Sequence, residues 1–288
     1  MTKNLYGALF MTLSMLGYAF GDVLMKYSGL TLPLFQSIFL RGIFAVSILL
    51  IVAILRRELL VLINKNQLKL LFLRVIGDIF ATIFFLYAIF NMKLANATAI
   101  LQSLPLAITL VAALFLKDKV GWRRWSAIII GFIGMLIIIR PTSSGFNQYS
   151  LIAITSVVFI VLRDISTRNL SKKIPSIFIV LMTAIGVTFS ALIGMFFQGY
   201  VSSSYQQVSI LGCAAIFSVF GILFNVMSMR VGEISFVAPF RYSILLAAII
   251  FGYIFFNEYP DNYTLLGSAI IISTGLYTLH REQINKND

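Results

Sequence analysis

The segment Asp22-Val-Leu-Met-Lys26-Tyr27 returns in the second half of the chain as Asp164-Ile-Ser-Thr-Arg168-Asn169, and landmarks around it return in the same order. Pro33 and Pro175 open the next segment of each copy, Asp118 and Glu258 close the fourth, and Gly134 and Gly275 lie well into the fifth. Each copy holds five apolar stretches. An odd number of crossings per copy puts the two copies in opposite orientations across a bilayer. Inverted repeats of this kind are the architecture of alternating-access transporters.

A crossing helix needs roughly 20 apolar residues. Ten candidates satisfy this, at about 5–27, 33–55, 69–91, 94–116, 122–140, 149–168, 175–199, 208–229, 233–256 and 262–279. The fold class is therefore an all-α polytopic membrane protein of ten transmembrane helices, with the repeats at 1–141 and 142–288. Charged residues make up 11% of the chain, against about 25% in soluble domains. The connections are short and leave no room for a soluble domain. A β-barrel is excluded by run length, since its strands would alternate over about ten residues. The first stretch lacks the small-residue cleavage site of a signal peptide.

The net charge of +12 is a topology signal. Basic residues gather in alternate loops: Arg56, Arg57, Lys65 and Lys69, then Lys117, Lys119, Arg123 and Arg124, then Arg168, Lys172 and Lys173, then Arg230, then Arg281 and Lys286. The positive-inside rule places both termini in the cytoplasm of a cell whose inner membrane the chain spans. No stacking aromatics interleave these residues on a soluble face, so nucleic acid is not an expected partner. Cys213 and His280 stand alone, too few for a zinc site. No glycine-rich phosphate loop occurs. No metal, no cofactor and no enzymatic chemistry are expected; the remote alternative is a membrane-embedded enzyme. The GxxxG step Gly17–Gly21 and the pair Gly131 and Gly134 allow close helix packing, within a monomer or across a homodimer.

Ionisable groups inside the helices are the candidate site. Each costs roughly 2.5–3.5 kcal/mol on insertion scales and persists where it meets a cavity or a partner. Asp22–Lys26, Arg74–Asp78 and Asp164–Arg168 share the i,i+4 spacing that puts both side chains on one face. Either each pair neutralises itself and snorkels to a headgroup layer, or the pairs line a hydrated path and act as gates. Arg41 and Arg241 have no acid one turn away, so they need a partner from another helix or a substrate anion, for which a guanidinium fork is suited. Asp78 is either a counter-ion or a proton carrier. Tyr18, Tyr87, Gln102, Asn225 and Tyr242 offer stacking or hydrogen bonds, and Tyr242 corresponds to Gln102 under the repeat. Pro105 and Pro239 each free a backbone carbonyl within a helix.

The ordered set Ala95-Asn-Ala-Thr-Ala-Ile, Pro105-Leu106, Asp118, Gly121-Trp-Arg-Arg-Trp125, Gly131-Phe-Ile-Gly134 and Arg140-Pro141 carries a resemblance that covers the whole chain. Its second-half counterpart is Ala238-Pro-Phe-Arg-Tyr242, Phe251-Gly-Tyr-Ile-Phe-Phe-Asn-Glu258-Tyr-Pro260 and Gly267 to Gly275. The chain resembles the drug/metabolite transporter superfamily in its EamA-type branch. It is most similar to the subgroup of S-adenosylmethionine and riboflavin carriers. Asp118 replaces the family's usual glutamate, and Leu245 stands where the repeat would put a proline. The resemblance implies a central cavity framed by helices 1–4 and 6–9, with helices 5 and 10 outside, and Arg41, Asp78, Tyr87, Arg241 and Tyr242 on helices that reach it. The expected cargo is a small polar organic metabolite, anionic or zwitterionic. An amino acid or its derivative fits, as does a larger metabolite such as S-adenosylmethionine or riboflavin.

Overall fold

A computed structural model describes residues 3–59, 61, 63–115, 121–140, 148–171, 173–231 and 234–287. Asp118, Lys117, Lys119, Pro141 and Lys172 lie outside the described residues. Among the described residues the regular structure is all helix: α1 (Lys3–Ser28), α2 (Leu34–Leu55), α3 (Lys65–Asn91), α4 (Leu94–Leu101), α5 (Leu104–Phe115), α6 (Trp122–Ile139), α7 (Tyr149–Arg168), α8 (Ser176–Gln198), α9 (Tyr205–Val231), α10 (Ile234–Val237), a 3-10 turn (Ala238–Tyr242), α11 (Ser243–Phe256) and α12 (Asn262–Asn287). Eight of the crossings are long and apolar enough to span a bilayer by length and composition, α4 and α5 counting together. A shorter apolar helix, Trp125–Ile139, and α12 complete the ten.

The fourth crossing of each copy is broken at the same place. In the first copy α4 ends at Leu101, and Gln102 and Ser103 turn the chain before Pro105, which has no N–H to continue the ladder. Ser103 Oγ donates to the Ile100 carbonyl at 2.7 Å. In the second copy Pro239 sits at the start of the 3-10 turn, which ends at Tyr242. The helices expected over 94–116 and 233–256 thus each carry a kink near the proline that marked it, and Gln102 and Tyr242 occupy equivalent corners.

Packing reveals the pseudo-two-fold axis. α1 lies along α9 and α3 along α7. Each joins a copy's first crossing to the other copy's third, so the two seams are one contact seen twice. α2 packs on α8 and α6 on α12, each crossing meeting its own counterpart. The α3–α7 seam is close because a Cβ on Gly77 would come within 2.9 Å of the Arg163 backbone nitrogen. The α6–α12 pair is closer still, since a Cβ on Gly267 would sit 2.5 Å from the Gly134 carbonyl. In lipid, apolar surface gains nothing by leaving its surroundings, and small residues that let backbones approach supply the association. Outward-facing Phe196 and Phe197, 82% and 87% exposed, are what a lipid-facing surface requires.

With these pairings both terminal segments fall at one end of the bundle, called here the terminal face. The α1–α2, α3–α4, α8–α9 and α11–α12 connections form the opposite face.

Candidate functional site

Side chains from both copies share one electrostatic neighbourhood within the bundle. Tyr18 and Asp22 are one turn apart on α1. Tyr18 feels the charges of Arg163, Arg241, Asp78 and Asp22, which come from α7, the 3-10 turn, α3 and α1. Arg41 on α2 feels Asp22 and Asp78. None of Asp22, Arg41 and Arg241 makes an ion-pair contact among the described residues. Asp22 and Arg41 are both half-buried.

Deeper in the α3–α7 seam the charges are tied. Arg163 Nη1 donates to Asp78 Oδ1 at 2.8 Å and its Nε donates to Asp164 Oδ1 at 2.9 Å. Arg74 turns away from Asp78 and donates through Nε to Thr167 Oγ1 at 2.9 Å and through Nη1 to Thr183 Oγ1. The i,i+4 partners Arg74 and Asp78 are therefore drawn to other helices, while Asp164 pairs with Arg163 of its own helix. Asp78 sits in the role of a counter-ion, held by the guanidinium across the seam.

A second cluster lies at the opposite face. Lys26 Nζ lies 2.6 Å from Glu258 Oε1 and donates to the Met92 carbonyl at 2.5 Å. Its ammonium stands 5.2 Å from the Phe256 ring centroid, within the range of cation–π attraction. Glu258 Oε2 accepts from the Leu94 N–H at 2.8 Å, capping α4. Lys93 Nζ donates to the Tyr259 carbonyl at 2.7 Å. Arg140 pairs with Asp261 and stacks 4.1 Å from the Tyr263 ring. Lys26 thus joins Glu258 of the other copy in place of Asp22.

The remaining sequence candidates fall at the edges. Gln102 is half-buried at the α4–α5 corner. The Tyr242 hydroxyl is buried without a hydrogen-bond partner, its oxygen against Gly275 of α12, so the ring points towards the tenth crossing. Tyr87 is 40% exposed and meets Tyr149 edge-on at 5.9 Å. Arg168 ends α7 and Asn225 lies in α9. Three residues were undervalued by the sequence. Arg163 carried no i,i+4 acid, Glu258 read only as a motif end, and Tyr18 read as one aromatic among many. The one sign of Tyr18 was its place one turn before Asp22. A shallow cavity of about 530 Å³ lies at the terminal face, lined by Val61, Asn64, Gln67, Ser171 and Lys173.

A ten-crossing helical bundle with two inverted copies and ionisable groups between them defines a multi-pass membrane transporter. The pattern of the EamA-like transporter family matches residues 5–140 and again 148–279, and the chain belongs to that family. It is 26% identical over 284 residues to an S-adenosylmethionine uptake transporter of Rickettsia prowazekii, covering 97% of this chain and 94% of that one. It is 26% identical over 267 residues to the pseudopaline exporter CntI of Pseudomonas aeruginosa, covering 92% and 93%. A solved structure described only as the crystal structure of a protein superposes with a TM-score of 0.67 at 14% identity, covering 96% and 98%. That likeness concerns the fold.

Proposed function

We propose that the chain moves a zwitterionic, amino-acid-derived metabolite by alternating access, with Arg41 and Asp22 as the principal ligand groups. The carrying observation is the separated pair. Arg41 and Asp22 lie within electrostatic reach of each other and make no ion-pair contact among the described residues, and their charges are complementary to the carboxylate and ammonium of an α-amino acid. Arg41 takes the carboxylate through its fork, and Asp22 takes the ammonium. Tyr18 stacks on the remainder of the solute, Gln102 reaches it from the same copy, and Arg241 reaches it from the opposite copy. Asp78, tied to Arg163, shapes the wall, while Tyr87 and Tyr242 serve packing.

S-adenosylmethionine carries this zwitterionic group, and a relative bearing its name aligns along nearly the full chain. Another relative of equal identity is named an exporter, so family membership does not set direction. Inner-membrane location, cytoplasmic termini and action as a monomer or homodimer belong to the same proposal. The basic loops at the terminal face support the orientation.

The test is a thermal-stability screen of detergent-solubilised protein against zwitterionic, purely anionic and purely cationic metabolites. A ligand at 100 times its Kd stabilises by about 2.7 kcal/mol. Stabilisation by S-adenosylmethionine or amino acids is expected, with no response to the corresponding decarboxylated amines. Stabilisation by those amines alone contradicts the assignment of Arg41.

A further inference from the structure

We infer that the Lys26–Glu258 ion pair is the gate that closes the solute path at the opposite face, with Glu258 as the gating residue; the inference rests on the alternating-access reading. Lys26 lies one turn beyond Asp22 on α1, between that residue and the opposite face. The pair spans the two copies, from the first crossing of one to the end of α11 in the other. Through Glu258 Oε2 it also grips the Leu94 N–H, where α4 starts. One carboxylate therefore holds three of the helices around the charged neighbourhood.

The geometry suits a reversible contact. The side chains are only 8% and 18% exposed. A buried ion pair gives little stability over an apolar pair of the same volume, so simple fastening does not call for charge. Charge does allow release, because water entering the gap rehydrates both ions. Glu258 is aimed by its neighbour. Asn257 adopts φ +54, a left-handed conformation that asparagine tolerates well, and its N–H bonds to the Tyr253 carbonyl at 3.1 Å while that of Glu258 bonds to Gly252 at 3.0 Å. This reversal folds the carboxylate back towards Lys26. Lys93 and Arg140, holding Tyr259 and Asp261, fix the next residues of the same loop.

The test uses a reporter cysteine, Tyr18→Cys, in a Cys213→Ser background, labelled by a membrane-impermeant maleimide applied to the face bearing Glu258. Gln102→Cys is a second reporter should Tyr18→Cys lower folded yield. Glu258→Gln and Lys26→Met are each expected to raise the labelling rate about tenfold by shifting the population towards the open state. The double variant Lys26→Met with Glu258→Gln is expected to label within about twofold of the single variants, because either change alone already breaks the pair. Equal rates in the parent and both single variants overturn the gate, as does a double variant in which the two rate increases multiply. No transported solute enters the measurement. A chain that labels as expected and fails to bind zwitterions removes the proposed substrate and keeps the gate. A chain that transports with labelling unchanged removes the gate alone.

Discussion

Arg163 and Asp78 meet across the α3–α7 seam, Nη1 to Oδ1 at 2.8 Å, at the point where Gly77 lets the two backbones nearly touch. Close packing and a cross-copy ion pair occupy the same turn. Removing Arg163 strands Asp78 in the seam, and removing Asp78 leaves Arg163 with Asp164 in place of two carboxylates; breaking a partly buried pair on one side is more costly than removing both of its members. Asp78→Asn and Arg163→Met are each expected to lower the melting temperature in detergent. The double variant is expected to recover part of the loss, giving a coupling energy of about 0.5–3 kcal/mol in a double-mutant cycle.

Glycine substitutions separate seam from surface. Gly77→Ala and Gly267→Ala place a methyl group against backbone atoms at 2.9 Å and 2.5 Å, where no side chain can yield. Each is expected to cost about 1–3 kcal/mol. Gly212→Ala meets nothing nearer than Phe44 at 3.6 Å and should leave stability within about 0.5 kcal/mol. Thermal melts of the three variants, side by side, check the contrast.

The ten crossings and their inversion were legible because hydropathy and repeat spacing are properties of one chain segment at a time. So were the kinks at Pro105 and Pro239, which follow from a missing N–H. Pairing was not legible. The i,i+4 rule sees only one helix, and it matched Lys26 with Asp22 and Arg74 with Asp78. The actual partners depend on how each helix is rotated against its neighbours. Gly77 and the small residues of the seams set that rotation, so Arg163 reaches Asp78 and Lys26 reaches Glu258 from the far copy. Tyr242 illustrates the same point: adjacency to Arg241 suggested a shared site, yet its hydroxyl points to Gly275.

Asp261 gives a pH dependence outside the membrane. Partial desolvation works to raise its pKa, but hydrogen bonds from the Thr264 N–H and from Arg140, with the arginine's charge, outweigh this and hold it below the ordinary 3.8. A carboxyl with a depressed folded-state pKa stabilises the fold above its unfolded value, and that stabilisation disappears as pH falls through the folded value. The Arg140–Asp261 contribution should be full at pH 5 and lost progressively below about pH 4. Melting temperatures of the parent and Asp261→Asn are expected to converge over that acid range; a constant difference from pH 6 to pH 3 would contradict it.

The measurement that bears most directly on the central claim is uptake of radiolabelled S-adenosylmethionine into proteoliposomes by the parent, Arg41→Ala and Asp22→Asn chains at equal folded yield. Losing one charge-assisted contact costs about 1.5–3 kcal/mol. The expected result is saturable uptake by the parent and a loss of about 10–100-fold in apparent affinity for each variant. Parent-level uptake by both variants would contradict the account, because Arg41 and Asp22 would then not hold the solute.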